Sequence, residues 1–172
     1  MIANIAPVAR RRRPFSLRSM QQPDDLRGFL AQDSRAAGFK QALEDLREAG
    51  RHSVRIVDLD CGAGCLLIHA ARHARALGFT AVEGRGIDGV PQLIGRARAA
   101  AARLHEPAIG LSFGVDDVGI ALEQEAEFPA DIVLWRRSRA FEEGAMLQAL
   151  RRCGRHVLID DSGCSLGAER RG

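Results

Sequence analysis

The chain has 172 residues, 46% hydrophobic and 27% charged, a balance that excludes a disordered or membrane-embedded class and fits one globular domain. Its formal charge of +3 is uneven: residues 1–20 hold Arg10, Arg11, Arg12, Arg13 and Arg18 and no acid, and without those five, 20 basic residues face 22 acidic ones. No apolar run approaches the ~20 residues needed to span a bilayer, and no apolar segment follows the arginines as a secretory signal requires.

Residues 1–22 read as a basic, unstructured leader. Residues 23–50 read as a helical extension: Pro23, Asp24 and Asp25 open one helix, and a second runs from about Ser34 to Ala49, stopped by Gly50. The main domain is assigned to residues 51–172. A buried strand is expected at Val54–Leu59, a helix at Cys65–Leu77 ended by Gly78, and a second strand ending near Asp88. Pro91–Leu104 reads as an alanine- and arginine-rich helix, "IGLSFGV" as a third strand, "VGIALEQEA" as a short helix and "DIVLW" as a fourth strand. Phe141–Cys153 reads as a helix and "RHVLID" as a fifth strand. Such alternation predicts an α/β fold, a doubly wound and mostly parallel sheet of about five strands with helices on both faces.

Cys61, Cys65, His69 and His73 recur every four residues, the spacing of one helix face. The ends of that series would lie ~18 Å apart along a helix, so they cannot converge on one ion, and no metal site is assigned. In a chain that reads as cytoplasmic, the four cysteines are expected to be reduced.

The small residues of "DLDCGAGC" lie between the first strand and the helix after it. In an open parallel sheet this turn faces the ligand crevice, where glycine lets a ligand approach the backbone and the helix N-terminus offers free N–H groups. A dinucleotide fingerprint would need a small residue where Leu67 stands, so NAD is disfavoured.

Asp58, followed by Asp60, Gly62 and Gly64, instead resembles the first motif of the class I S-adenosylmethionine-dependent methyltransferases, D/E-x-G-x-G-x-G. "GIDGVPQLIGRAR", "LSFGVDDVGIAL" and "PADIVLW" resemble the later motifs, in order, over residues 54–161. The resemblance implies that Asp88 holds the ribose hydroxyls, with Glu83 as the other candidate. It also implies that Asp117 and Val118 meet the adenine, and that the end of the fourth strand borders the reaction site. Trp135, Arg136 and Arg137 are therefore the substrate-side candidates, the arginines suited to an anionic acceptor. No catalytic base is assigned, because methyl transfer is in-line and needs chiefly positioning. Each acid has a plainer reading as a helix cap, and Asp131 in particular as a structural residue.

Two departures from the pattern stand out. Asp60 replaces the first glycine, beside the methionine end of the cofactor, where it would pair with the ammonium or crowd the carboxylate. Only Asp161–Gly172 follow the fifth strand, too few for the usual terminal helix and strand pair. The expectation is an exposed fifth-strand edge, covered by a second copy, by a partner or by the tail itself. The reading is an S-adenosylmethionine-dependent methyltransferase acting on an unidentified acceptor. Its alternative is a non-catalytic cofactor-binding or interaction module that kept the fold. Neither a membrane nor nucleic acid is the expected partner.

Overall fold

The computed structural model describes residues 33–136 and 143–160. The helix expected to open at Pro23, the basic leader, Arg137 and the tail after Asp160 lie outside the described residues. The elements in chain order are α1 (Arg35–Glu48), β1 (Ser53–Leu59), α2 (Cys65–Ala76), β2 (Ala81–Asp88), α3 (Pro91–Ala101), β3 (Ile109–Val115), α4 (Val118–Glu127), β4 (Ala130–Arg136), α5 (Glu143–Cys153) and β5 (Gly154–Asp160).

The five strands form one sheet in the order β3-β2-β1-β4-β5, and every pairing is parallel. The chain winds outward from β1 to β2 and β3, then returns to the other side of β1. The order therefore reverses between β1 and β4, which is where an open α/β sheet leaves a ligand crevice at its strand C-termini. Among the described residues β5 is an edge strand.

Strand parity sorts the side chains into two layers. Val57, Leu59, Ile87, Val133 and Trp135 pack with Leu122 of α4 and with Met146, Leu150 and Cys153 of α5. On the opposite face Leu67 of α2 lies over Gly84, and Leu158 of β5 meets Gly38 of α1. Leu67 is fully buried, and a Cβ on Gly84 would come within 3.2 Å of its Cδ1. The close helix–sheet approach that a dinucleotide fold obtains with a small helix residue is obtained here with a small strand residue.

The helix α1 belongs to the same compact unit as the sheet, which runs from Asp33 onward. It buries Phe39, Leu43 and Leu46 along one stripe and ends ahead of Gly50, whose φ is +79°. No described helix is long and apolar enough to cross a membrane.

Candidate active site

The turn after β1 has three residues in the left-handed region: Asp60 (φ +64°), Gly62 (φ +57°) and Gly64 (φ +75°). Aspartate tolerates this conformation better than most residues, so Asp60 keeps the backbone shape expected of a glycine at that position. The turn is tied to β2 by the Cys61 N–H, which donates to the Ile87 carbonyl at 2.9 Å, and closes on itself where the Gly64 N–H donates to the Cys61 carbonyl at 3.0 Å.

The two glycines serve different ends. A Cβ built on Gly64 would fall 2.7 Å from the Phe113 ring and 3.0 Å from Ala97 Cβ, so internal packing demands glycine there. A Cβ on Gly62 would meet nothing within 4 Å. Gly62 is therefore the turn position that leaves its backbone open to a ligand, while Gly64 lets α2 start against β3 and α3. The sequence treats both as cradle residues; the structure separates them.

Asp88, buried at the C-terminus of β2, spans the site. Its Oδ2 accepts from the Gly62 N–H and its Oδ1 from the Val90 N–H, each at 2.8 Å. One carboxylate thus fixes the cradle turn and the start of α3, with lone pairs left over on both oxygens. Burial together with the Asp88 charge raises the Asp60 pKa. Glu83, the alternative ribose candidate, sits five residues back on β2 and pairs with Arg55 at 3.1 Å, at the far end of the strand. It does not reach the cradle.

Asp58 faces the α1 side of the sheet with its side chain only 1% exposed. The Arg35 guanidinium, equally buried, lies 3.4 Å from Asp58 Oδ1 and 2.9 Å from Asp33 Oδ2. Burial raises the Asp58 carboxyl to about 7, against the pull of Arg35, and Asp58 Oδ2 has no hydrogen-bond partner among the described residues. Sequence reasoning missed Arg35. The available signal was periodicity, since Arg35 stands four residues before Phe39 on the apolar stripe of α1, where a cation needs a buried counter-charge.

The remaining candidates divide. Asp117 caps α4, its Oδ1 accepting from the Gly119 and Ile120 N–H groups at 2.8 and 3.3 Å, which matches the plainer reading of that acid; its other oxygen takes no part in the cap. It follows β3 two residues after Val115, which is in register with Asp88. The Val118 side chain packs against the α4–α5 core. Asp131 is structural: its Oδ2 accepts from the Arg55 N–H, and it pairs with Arg51. Trp135 is a correction, because its odd position in β4 sends the indole into the α4–α5 core, where it is 3% exposed and not available to a substrate. Arg136 points the other way, 47% exposed, 3.5 Å from Asp160 and 3.8 Å from Asp33. Cys65 and the two histidines after it lie along α2: His69 and His73 stack at 6.4 Å, and both rings meet Phe39 edge-on.

No protein-family model matches the sequence, and no curated protein does. Solved structures do match. A methyltransferase described as S-adenosylmethionine-dependent, from Agrobacterium tumefaciens, superposes with a TM-score of 0.51 at 17% identity, over 69% of this chain and 40% of the other. The fold is the class I methyltransferase fold. A putative protein-L-isoaspartate O-methyltransferase from Plasmodium falciparum, in complex with S-adenosyl-L-homocysteine, aligns at 15% identity with a TM-score of 0.47, over 70% of this chain and 58% of that one. Magnesium protoporphyrin IX methyltransferase from Synechocystis, with bound S-adenosylhomocysteine, gives 17% identity and 0.47, over 79% and 65%. This chain spans about half the length of the first two of these methyltransferases. At such identities the likeness concerns the fold.

Proposed function

We propose that this chain binds S-adenosylmethionine at the Asp60–Gly64 turn and transfers its methyl group to an acceptor. The observation that carries the reading is the Asp88 carboxylate held against the Gly62 amide, beside open space over Gly62, at the C-terminal end of β1 in a methyltransferase fold. The residues fit the cofactor. Asp88 has spare lone pairs for vicinal hydroxyls, the Asp117 oxygen outside the cap suits an exocyclic amine, and the buried Asp58 Oδ2, unpartnered among the described residues, suits an ammonium. When bound, the cofactor supplies an electrophilic methyl group on a positively charged sulfur. The chain's own contribution is positional: Asp88 sets the turn, and the cluster of Asp58, Asp60 and Asp88 favours a cationic ligand. An anionic acceptor would be received by Arg136 after displacing Asp160 from it.

A second reading, a binding module without transfer, draws support from the same arginine, because Arg136 already has two carboxylates within 4 Å. Calorimetry with S-adenosylhomocysteine, S-adenosylmethionine and NAD tests cofactor binding, which both readings share. Binding of the first two, weakened roughly ten- to a hundredfold by Asp88→Asn with the melting temperature followed in parallel, is the expected result. Preference for NAD, or an unchanged affinity in Asp88→Asn, overturns it.

A further inference from the structure

The strand N-termini, at the end of the sheet opposite Asp88, form the floor of a second cleft of about 790 Å³. It reaches from Gly110 of β3, past Glu83, Ser53 and Asp131, to Arg155 of β5. Five strands at ~4.8 Å spacing make this floor about 19 Å long.

Among the described residues five arginines line the cleft, with Glu83 and Asp131 the only acids. Those acids are already engaged: Asp131 with Arg51 at 3.0 Å, and Glu83 with Arg55 at 3.1 Å. Arg55 also contacts the buried Glu125 at 2.7 Å. Arg151, Arg152 and Arg155 are exposed and form no ion pair among the described residues. The helix dipole favours cations at Arg151 and Arg152, in the last turn of α5, but it does not account for Arg155 on β5. The cations stand on two elements and do not converge on one buried point, an arrangement suited to a row of negative charges more than to a single one.

An aromatic ring stands in the same lining. Phe128, between α4 and β4, is 76% exposed, and its backbone is fixed by Arg55 Nη1, which donates to its carbonyl at 2.7 Å. An exposed ring beside unpaired arginines is the pairing that single-stranded nucleic acid uses, with bases stacking on the ring and phosphates on the cations. A duplex hides its base faces and cannot use the ring. We propose that this cleft binds a short single-stranded nucleic acid segment, with phosphates on Arg151, Arg152 and Arg155 and a base on Phe128. No local pattern points to this partner, because the five arginines are scattered over about a hundred positions and only the sheet brings them together.

The test uses the full chain and a fluorescein-labelled octauridylate, followed by anisotropy across a salt series. A variant with Arg10, Arg11, Arg12 and Arg13 all changed to Gln removes the leader's own attraction for polyanions and should still bind. In that background Arg151→Glu with Arg155→Glu should weaken binding at least about tenfold, and Phe128→Ala about 5- to 150-fold. The salt slope should lie near −2, the value for about three phosphates of a single strand. Thermal unfolding and S-adenosylhomocysteine binding should stay at parental values in these variants, so the cleft and the methyl-transfer reading succeed or fail separately. The proposal is overturned if the leader variant loses binding. It is equally overturned if the cleft variants, still folded, bind as their parent does, or if inorganic tripolyphosphate displaces the oligonucleotide as well as unlabelled octauridylate does at equal phosphate.

Discussion

Replacing Arg35 with leucine would leave the buried Asp58 carboxylate without its ion-pair partner and Asp33 with only its 3.8 Å contact to Arg136. Asp33 and Asp58 have side chains 3% and 1% exposed, and Arg35 touches both. Breaking a buried pair from one side typically costs 3–5 kcal/mol, because the remaining charge is neither solvated nor paired. For a domain of this size that loss lowers the melting temperature by roughly 6–20 °C. The pH dependence is the sharper signature. Asp58 is raised from 3.8 to about 7 in the folded protein, so the native state holds its proton more tightly than the unfolded chain does. Stability from this group is therefore full below about pH 4 and is lost as pH rises through about 7. Without Arg35 the Asp58 carboxyl should rise further, so the variant should be hurt most at pH 8 and less at pH 5, where Asp58 carries a proton. Adding Asp58→Asn to Arg35→Leu should restore part of the loss at pH 8 and flatten the pH dependence. Thermal unfolding followed by circular dichroism at the two pH values decides it. Equal losses at pH 5 and pH 8, or no loss at pH 8, would refute the argument that Arg35 compensates a buried Asp58.

Gly62 and Gly64 should part company under substitution. Gly64→Leu collides with Phe113 and Ala97 at a left-handed backbone position, so denaturant unfolding should register a loss of several kcal/mol, in the range of overpacked cores with strain added. Gly62→Ala meets no neighbour and should lose only about 1–2 kcal/mol to its positive φ, while binding of S-adenosylhomocysteine falls by a larger factor; calorimetry and melting on the same samples separate the two. His69, whose pKa is lowered to about 4 by burial and then by His73, should stay neutral well below the ordinary histidine range. It therefore contributes stability that is present above about pH 6.5 and drains away as pH falls toward 4. An NMR titration that puts His69 at or above 6.5 would contradict this.

Much of the fold was legible because parallel strands buried on both faces read as apolar runs and their crossover helices as periodic ones. The strands at Val54–Leu59, "IGLSFGV" and "RHVLID" appear where expected, within a residue at each end. Leu67 disfavoured a dinucleotide fingerprint, and the motif order over residues 54–161 pointed to the fold that the superposition shows. Strand order was not legible, since no local pattern says that β4 returns beside β1; that depends on which faces the helices cover. Side-chain destinations at strand ends were not legible either. Trp135 and Arg136 are adjacent in sequence, and the pleat alone sends one into the core and the other to Asp160. Glycine identity was plain at positions 62 and 64, but only packing separates an open cradle from a contact with Phe113. Arg35 and Asp58 lie 23 residues apart and become partners only when α1 docks on the sheet. The sequence by itself thus determined the elements and the chemistry of the turn, because both are local. The tertiary structure alone decided which charges are buried together, because burial and the dielectric that sets its cost belong to the whole fold.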